Sequence, residues 1–327
     1  MAQAAAKPSA RTQEASALLK GAIDPHVHSG PSAAARGVDH IELLKAASAK
    51  GFAAVVTKDH DYSGVVTAAL IRKHYADFGT KIYSGIVLNN AVGGFNPYAV
   101  EHTAAMGGKI VWLPTLAAEN HLRWQKKAAF AHPGAAKDLR PVTPIQILDN
   151  GKTVRDDVKE ILDIIAKTDM VVAAGHLHVS EIWLVLEEAK RRGVKRMVIN
   201  HPEEVIDASM NDVGGLAALG AYIEHSLALF VEGSKFKLFG LDHLKNQIDA
   251  GGIDNTILCS DLGQAGTIEP VDGMLQGVEM CLELGYSADD IRKMTSRNAA
   301  RLFGFEQDVK DALATTRESI SKVVAPQ

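Results

Sequence analysis

Cysteine is scarce in this chain: two thiols, Cys259 and Cys281, occur in 327 residues. That count excludes a disulfide framework and a thiolate metal cluster, and both cysteines stand in apolar or helical stretches where a reduced, buried thiol is expected. Long apolar runs are missing too. No stretch reaches the ~18 residues that a membrane-spanning helix needs, and the opening "MAQAAAKPSARTQEASALLK" lacks the compact apolar block of a secretory signal. A cytoplasmic protein with no membrane partner is the expectation. Nor is there an excess of positive charge: the formal net charge is -4, which leaves no basic footprint for nucleic acid. What is present, 46% hydrophobic and 23% charged residues, suffices for a large core, either one α/β unit or two domains.

Short apolar, β-rich runs recur along the chain. They are "AID" before His26, "FAAVVT" from Phe52, "KIYSGIVL" from Lys81, "GKIVWLP" from Gly108, "MVVAAG" from Met170, "RMVIN" from Arg196, "LGAYIE" from Leu219 and "NTILCS" from Asn255. Amphipathic segments with helical spacing lie between most of them, among them "DHIELLKAASAKG" and "SEIWLVLEEAKRRG", and several end in glycine. Strands alternating with helices imply parallel pairing through right-handed crossovers. The spacing therefore predicts a (β/α)8 TIM barrel over 21–305, with a doubly wound open sheet as the alternative, an N-terminal arm over 1–20 and a C-terminal helical tail over 306–327. One connection is long. Residues 116–154 after the fourth strand read as a lid-like insertion containing a hairpin around Asn150-Gly151. "SADDIRKMTSRNAARLFG" reads as a final helix with Ser287 as its cap and Asp290 in the capping-box position.

The residues that follow the strands carry the chemistry. In "DPHVHSG", His26 and His28 project to one side of a strand while Val27 faces the other. Lys58, Asp59 and His60 follow the second strand, His176 and His178 the fifth, His201 the sixth, Glu224 the seventh and Asp261 the eighth. In a parallel barrel all these ends share one face, where active sites assemble. Imidazoles and carboxylates without thiolates suit zinc, manganese or iron with an open position for water.

The HxH after the first strand, the histidines after the fifth and sixth, the aspartate after the eighth and the terminal "SRNAARLFG" resemble the amidohydrolase superfamily of metal-dependent hydrolases. The likeness is greatest to poorly characterised branches with "GHL" and "HPE" at these places. The resemblance implies His26, His28, His176, His201 and Asp261 as ligands of one or two divalent metals, zinc above all. It also implies a bridging carboxylated lysine after the fourth strand, but that strand ends "WLPT". Lys58 is the lysine at a suitable strand end, as a carbamate ligand or as an ordinary site cation, with His60 as the substitute ligand.

The expected reaction is hydrolysis of an amide, cyclic amide, lactone or ester of a small molecule by metal-activated water, with Asp261 and His201 in the catalytic apparatus. A decarboxylase on the same barrel and a catalytically silent metal-binding subunit are the alternatives. His178, by alternation on the face of His176, is expected to contact substrate beside the reacting atoms. Asn89 is placed in the pocket wall or in turn chemistry. Arg123 and Trp124 grip a substrate anion or pack the insertion, and Glu224 binds substrate, orients a ligand or pairs with a lysine at the rim. His40, His74, His102 and His243 are read as surface residues of helices. A homo-oligomer is left open.

Overall fold

The computed structural model describes residues 9–127 and 139–314. The chain runs α1 (Ala10–Leu18), β1 (Ile23–Val27), α2 (His40–Ala49), β2 (Ala54–Thr57), α3 (Val65–His74), β3 (Lys81–Ser84), β4 (Ile86–Val87), α4 (Pro97–Ala105), β5 (Ile110–Trp112) and α5 (Glu119–Gln125). A short hairpin follows, β6 (Leu148–Asp149) and β7 (Thr153–Val154). Alternation then resumes with α6 (Asp156–Thr168), β8 (Val171–Ala173), α7 (Val179–Arg191), β9 (Met197–Asn200), α8 (Met210–Leu219), β10 (Tyr222–Ser226), α9 (Leu241–Gly251), β11 (Thr256–Cys259) and α10 (Pro270–Glu283). The described chain closes with α11 (Ala288–Arg292) and α12 (Asn298–Phe303); residues 306–314 continue as helix.

Each predicted apolar run is a strand, and the third is split by Gly85 into β3 and β4. The strands pair in parallel in two sheets, β1-β2-β3 and β11-β10-β9-β8-β5-β4. The near-continuous apolar character of these strands follows from burial on both faces. In β8, Val171 and Ala173 join one cluster while Val172 joins another. The first of these clusters draws on both sheets, through Ile23, Val56, Val87, Trp112, Val198 and Ile257, and is covered by Phe303 and Phe305. The helices pack on the opposite faces.

Local signals explain where helices start. Asp39, Ser209 and Ser287 each accept amides of the following turn, with Glu42, Asp212 and Asp290 answering from the third position. The single final helix expected from Ser287 onward is instead α11 and α12 joined by one wider, π-type turn over Lys293–Arg297. The hairpin forms where expected: Asp149 pairs with Thr153, and Asn150 and Gly151 both adopt positive φ, as a primed turn requires. Of the expected lid over 116–154, residues 128–138 lie outside the described residues. The start of α5 is tied to the chain returning from that segment, because Ile145 N donates to Ala117 O at 2.7 Å and Glu119 N to Ile145 O at 3.2 Å. Most of the C-terminal tail, 315–327, and residues 1–8 of the arm also lie outside the described residues.

Two of the four histidines read as surface residues, His74 and His102, are exposed. His40 is half-buried and bonds to Ser29 Oγ, and His243 stacks on Phe239 with ring centroids 4.2 Å apart. Both cysteines are free and buried. Among the described residues, no helix is long and apolar enough to cross a membrane.

Candidate metal centre

Parallel register brings the strand ends level. Val27 pairs with Thr57, Glu224 with Asn200 and Ser226 with Cys259, so the residues just beyond these pairs meet in one chamber. It is lined by His28, Lys58, His60, His176, His201 and Asp261 on one side. The imidazoles form a connected series: His26 and His28 are 5.4 Å apart between centroids, His28 and His60 5.1 Å, His60 and His176 6.1 Å, His176 and His201 4.8 Å, and His201 and His26 5.9 Å.

The hydrogen bonds decide which nitrogens are available. His26 Nδ1 donates to Glu224 Oε1 at 2.8 Å, and Glu224 is fixed by Asn200 Nδ2 at 2.7 Å. His28 Nδ1 donates to the Lys58 carbonyl at 2.9 Å. The Nε2 atoms of both rings then face Asp261 Oδ1, each at 3.1 Å. Ser226 Oγ donates to the other carboxylate oxygen, Oδ2, at 2.8 Å. Burial pushes the imidazole of His28 down to about 3 and that of His201 to about 4, with His176 well below its ordinary value. Burial alone would raise Asp261, yet the imidazoles around it hold it well below the usual carboxylate range. His26 Nε2, His28 Nε2 and Asp261 Oδ1 thus converge on one point, with Lys58 Nζ 3.1 Å from the first of them. Such a set is stable around a cation. His26, His28 and Asp261 are close enough to hold one ion together.

Backbone strain marks the same place. His201 and Asp261 have φ of 29° and 50°, a region that side chains other than glycine visit at a cost of order 1–3 kcal/mol and that concentrates at functional sites. Gly263, at φ +111°, lies where a Cβ would stand 1.7 Å from the His28 carbonyl oxygen, so the loop after β11 can close on β1 only with glycine here.

Lys58 is buried, and burial lowers its ammonium from the ordinary value. Its Nζ lies 3.1 Å from His26 Nε2 and 5.7 Å from the centroid of Trp112, which ends the strand where the resemblance implies a lysine. His60 lines the chamber, with Nδ1 bonded to Thr115 Oγ1 at 2.8 Å.

Three expectations need correction. His178 does not share the face of His176: β8 ends at Ala173, Gly175 turns the backbone at φ +65°, and His178 caps α7 by accepting from Ser180 N at 3.2 Å. Asn89 is buried and wholly engaged, donating to His60 O and Thr115 Oγ1 and accepting from Thr115 N and Ala117 N; it braces the loops and does not line the chamber. Glu224 bonds His26 and Asn200 and is not among the residues lining the chamber, which fits the ligand-orienting alternative and not the substrate contact. Arg123 lines an outer cavity of about 690 Å³ that also contains His178, and Trp124 lines both that cavity and the chamber.

The sequence reading missed several contributors. Ser226, two residues beyond Glu224, was legible by alternation; Asn200, directly before His201, was not. His121 was not: it comes from α5, and its Nδ1 lies 2.9 Å from His176 Nδ1, while the adjacent Asn120 donates to the carbonyls of His176 and Val205. Glu204, pushed up to about 7 by burial and by Glu203, stands where the chamber meets the outer cavity.

Comparison with known proteins places this geometry. The profile of a family described as "Family of unknown function (DUF6282)" matches residues 21–224. Among curated proteins, none matches. Among solved structures, the chain is similar to an amidohydrolase from Pseudomonas aeruginosa, at 14% identity, 91% of this chain and 98% of that one covered, with a TM-score of 0.60. It is similar to the probable dipeptidase PvdM from the same organism, at 12% identity, 94% and 100% covered, TM-score 0.62. An amidohydrolase from Burkholderia multivorans with bound zinc gives 15% identity, 86% and 99% covered, TM-score 0.53. These likenesses are of fold: the chain has the mixed α/β, parallel-sheet architecture of amidohydrolase-type structures.

Proposed function

The chain belongs to the DUF6282 family, and we propose that it is a metal-dependent hydrolase acting on an amide, cyclic amide, lactone or ester bond of a small molecule. One observation carries the reading: His26 and His28 have their Nδ1 atoms tied to Glu224 and to the Lys58 carbonyl, so both Nε2 atoms are turned onto Asp261 Oδ1. Orientation of this kind, from behind the ring, is what fixes tautomer and direction in metal-binding histidines. The names of the similar structures, which include amidohydrolases, a dipeptidase and a protein holding zinc, agree with that choice.

His26, His28, His176, His201 and Asp261 would hold one or two ions, zinc foremost, with Lys58 as a carbamate or His60 completing the set. A bound divalent cation would supply Lewis acidity and lower the pKa of water toward neutrality. The chain's own groups do the rest. The carboxylate of Asp261, through its oxygen turned away from the two imidazoles, takes a proton from the attacking water as the water oxygen bonds to the acyl carbon, and returns it to the departing nitrogen or oxygen as that bond breaks. Ser226 holds the second oxygen of this carboxylate in place.

We also read the two sheets as one closed (β/α)8 barrel over 21–305. Supporting this, β3 passes into β4 across a single residue. At the other junction, His28 N donates to Leu262 O at 2.8 Å and Asp261 N to His26 O at 2.9 Å. The segment containing α5 and the hairpin serves as cover, with Trp124 in the chamber wall.

Elemental analysis of protein purified without chelator tests the reading. About one to two equivalents of a divalent transition metal, with hydrolysis of simple esters or amides lost on chelation and restored on reloading, is the expected result. Metal-free protein that turns over the same substrates contradicts it.

A further inference from the structure

One strand of the sheet carries an ionisable residue where an apolar one is expected. In β10, Glu224 and Ser226 reach inward, to His26 and Asn200 and to Asp261. Alternation therefore turns His225 the other way, to the face on which Ile223 packs with Val213 and Leu216 of α8. A strand paired along both edges and covered by a helix favours apolar residues on that face. His225 instead meets Glu203, Nδ1 to Oε1 at 2.6 Å, with both side chains fully buried. The remaining atom of each group, His225 Nε2 and Glu203 Oε2, is buried with no hydrogen-bond partner. Neither residue is among those lining the chamber or the outer cavity.

Stability does not account for such a pair. Two buried polar groups that each leave an atom unsatisfied are at best equal to apolar side chains of similar volume, although removal of one partner alone is costly. Its place in the chain does account for it. Glu203 stands two residues after His201 and directly before Glu204 and Val205, where the chamber meets the outer cavity. His201 holds a φ of 29°, a conformation that persists only where the surrounding structure enforces it. The turn is tied to β10 at its start, where His201 N donates to Glu224 O at 2.8 Å. Glu203 ties it to the same strand again, one residue further along.

Resting on the hydrolase reading above and its metal centre, we propose that Glu203 and His225 form a positioning pair, which clamps the turn after β9 onto β10 and so keeps His201 turned into the ligand cluster. Neither residue touches metal or substrate.

A double substitution separates positioning from stability. Zinc affinity of the full chain is read by competition with a chromophoric chelator, and Tm is read on the metal-free protein at the same pH. His225→Phe leaves the Glu203 carboxyl buried without its partner, so Tm should fall by roughly 5–10 °C and zinc affinity by about tenfold. His225→Phe combined with Glu203→Leu replaces both groups by apolar ones. Tm should then return to within about 2 °C of the parent, while the roughly tenfold loss of affinity remains. Glu203→Gln, which keeps an acceptor for His225 Nδ1, should retain most of the affinity. His201→Ala sets the scale, with a loss at least as large as that of the double variant. Parent affinity in the double variant, or affinity that follows Tm through all the variants, would overturn the inference while the hydrolase reading stands. Unchanged affinity in His201→Ala removes His201 from the ligands, and this inference with it. Failure of the parent protein to take up zinc overturns the hydrolase reading as well.

Discussion

On one side of the chamber, His26, His28 and Asp261 are carried by β1 and the turn after β11, and each is held by a neighbour from a strand end: Glu224, the Lys58 carbonyl and Ser226. On the other side, His176 stands beyond the end of β8 and its Nδ1 meets His121, which belongs to α5 in the long connection after β5. The first side is assembled wholly from the sheet. The second depends on a helix outside the β/α alternation, and the same helix contributes Trp124 to the wall. The contrast teaches that α5 reaches the chamber at two points: His121 meets His176 from behind, and Trp124 lines the wall.

Substitutions on the two sides sharpen this contrast. The largest effect is expected at Asp261. Asp261→Asn cannot accept the proton of water, so kcat should fall by about 10²–10⁴ with a much smaller change in KM. Near-normal kcat in a metal-replete Asn variant would remove Asp261 from the role. Next is Lys58. If it bridges as a carbamate, Lys58→Ala should lose one metal equivalent and most activity, and short carboxylic acids added in excess should restore part of both. Full metal content without such rescue assigns Lys58 as a site cation.

The positioning groups come third, and here the two sides can be compared directly. Glu224→Gln on the sheet side and His121→Phe on the α5 side should each weaken metal affinity by about 10–100-fold, as loss of a group behind a ligand does. Competition with a chromophoric chelator reads this independently of turnover. His121→Asn, which keeps a polar partner for His176 Nδ1, should recover part of the loss. If His121→Phe leaves the affinity unchanged while Glu224→Gln does not, the helix has no part in holding the metal.

The smallest effect concerns Glu204, whose carboxyl is pushed up to about 7. A carboxyl with a folded-state value above its unfolded one stabilises the fold at low pH and loses that contribution as pH rises from about 4.5 to about 7. Glu204→Gln should therefore match the parent's Tm near pH 4 and exceed it near pH 8, by about 1–2 °C for this partly exposed group. The opposite slope would place a cation beside Glu204 in solution.

Much of the sheet side was readable from the sequence. The period-two alternation that put His26 and His28 on one face is local, and it holds because both residues sit within or directly beyond β1. Alternation failed at His178 because the strand had already ended and Gly175 had turned the chain. It failed at Asn89 because a side chain at a strand end can point into the neighbouring loops as well as into the pocket. The role of His121 had no local signature: a histidine on a short helix reaches His176 only through tertiary packing across 55 positions of sequence. The apolar lining was illegible for the same reason, since Trp124 comes from α5, Val205 from the stretch after β9, and Leu229 and Phe236 from the connection after β10, and they meet only in the fold.

The central claim is that His26, His28 and Asp261 converge on a cation. Anomalous diffraction at the zinc edge from crystals of zinc-loaded protein tests it most directly. The account predicts a peak at about 2.0–2.2 Å from His26 Nε2, His28 Nε2 and Asp261 Oδ1 together. Zinc bound elsewhere, at exposed histidines such as His74 or His102, with no density between these three atoms, would contradict it.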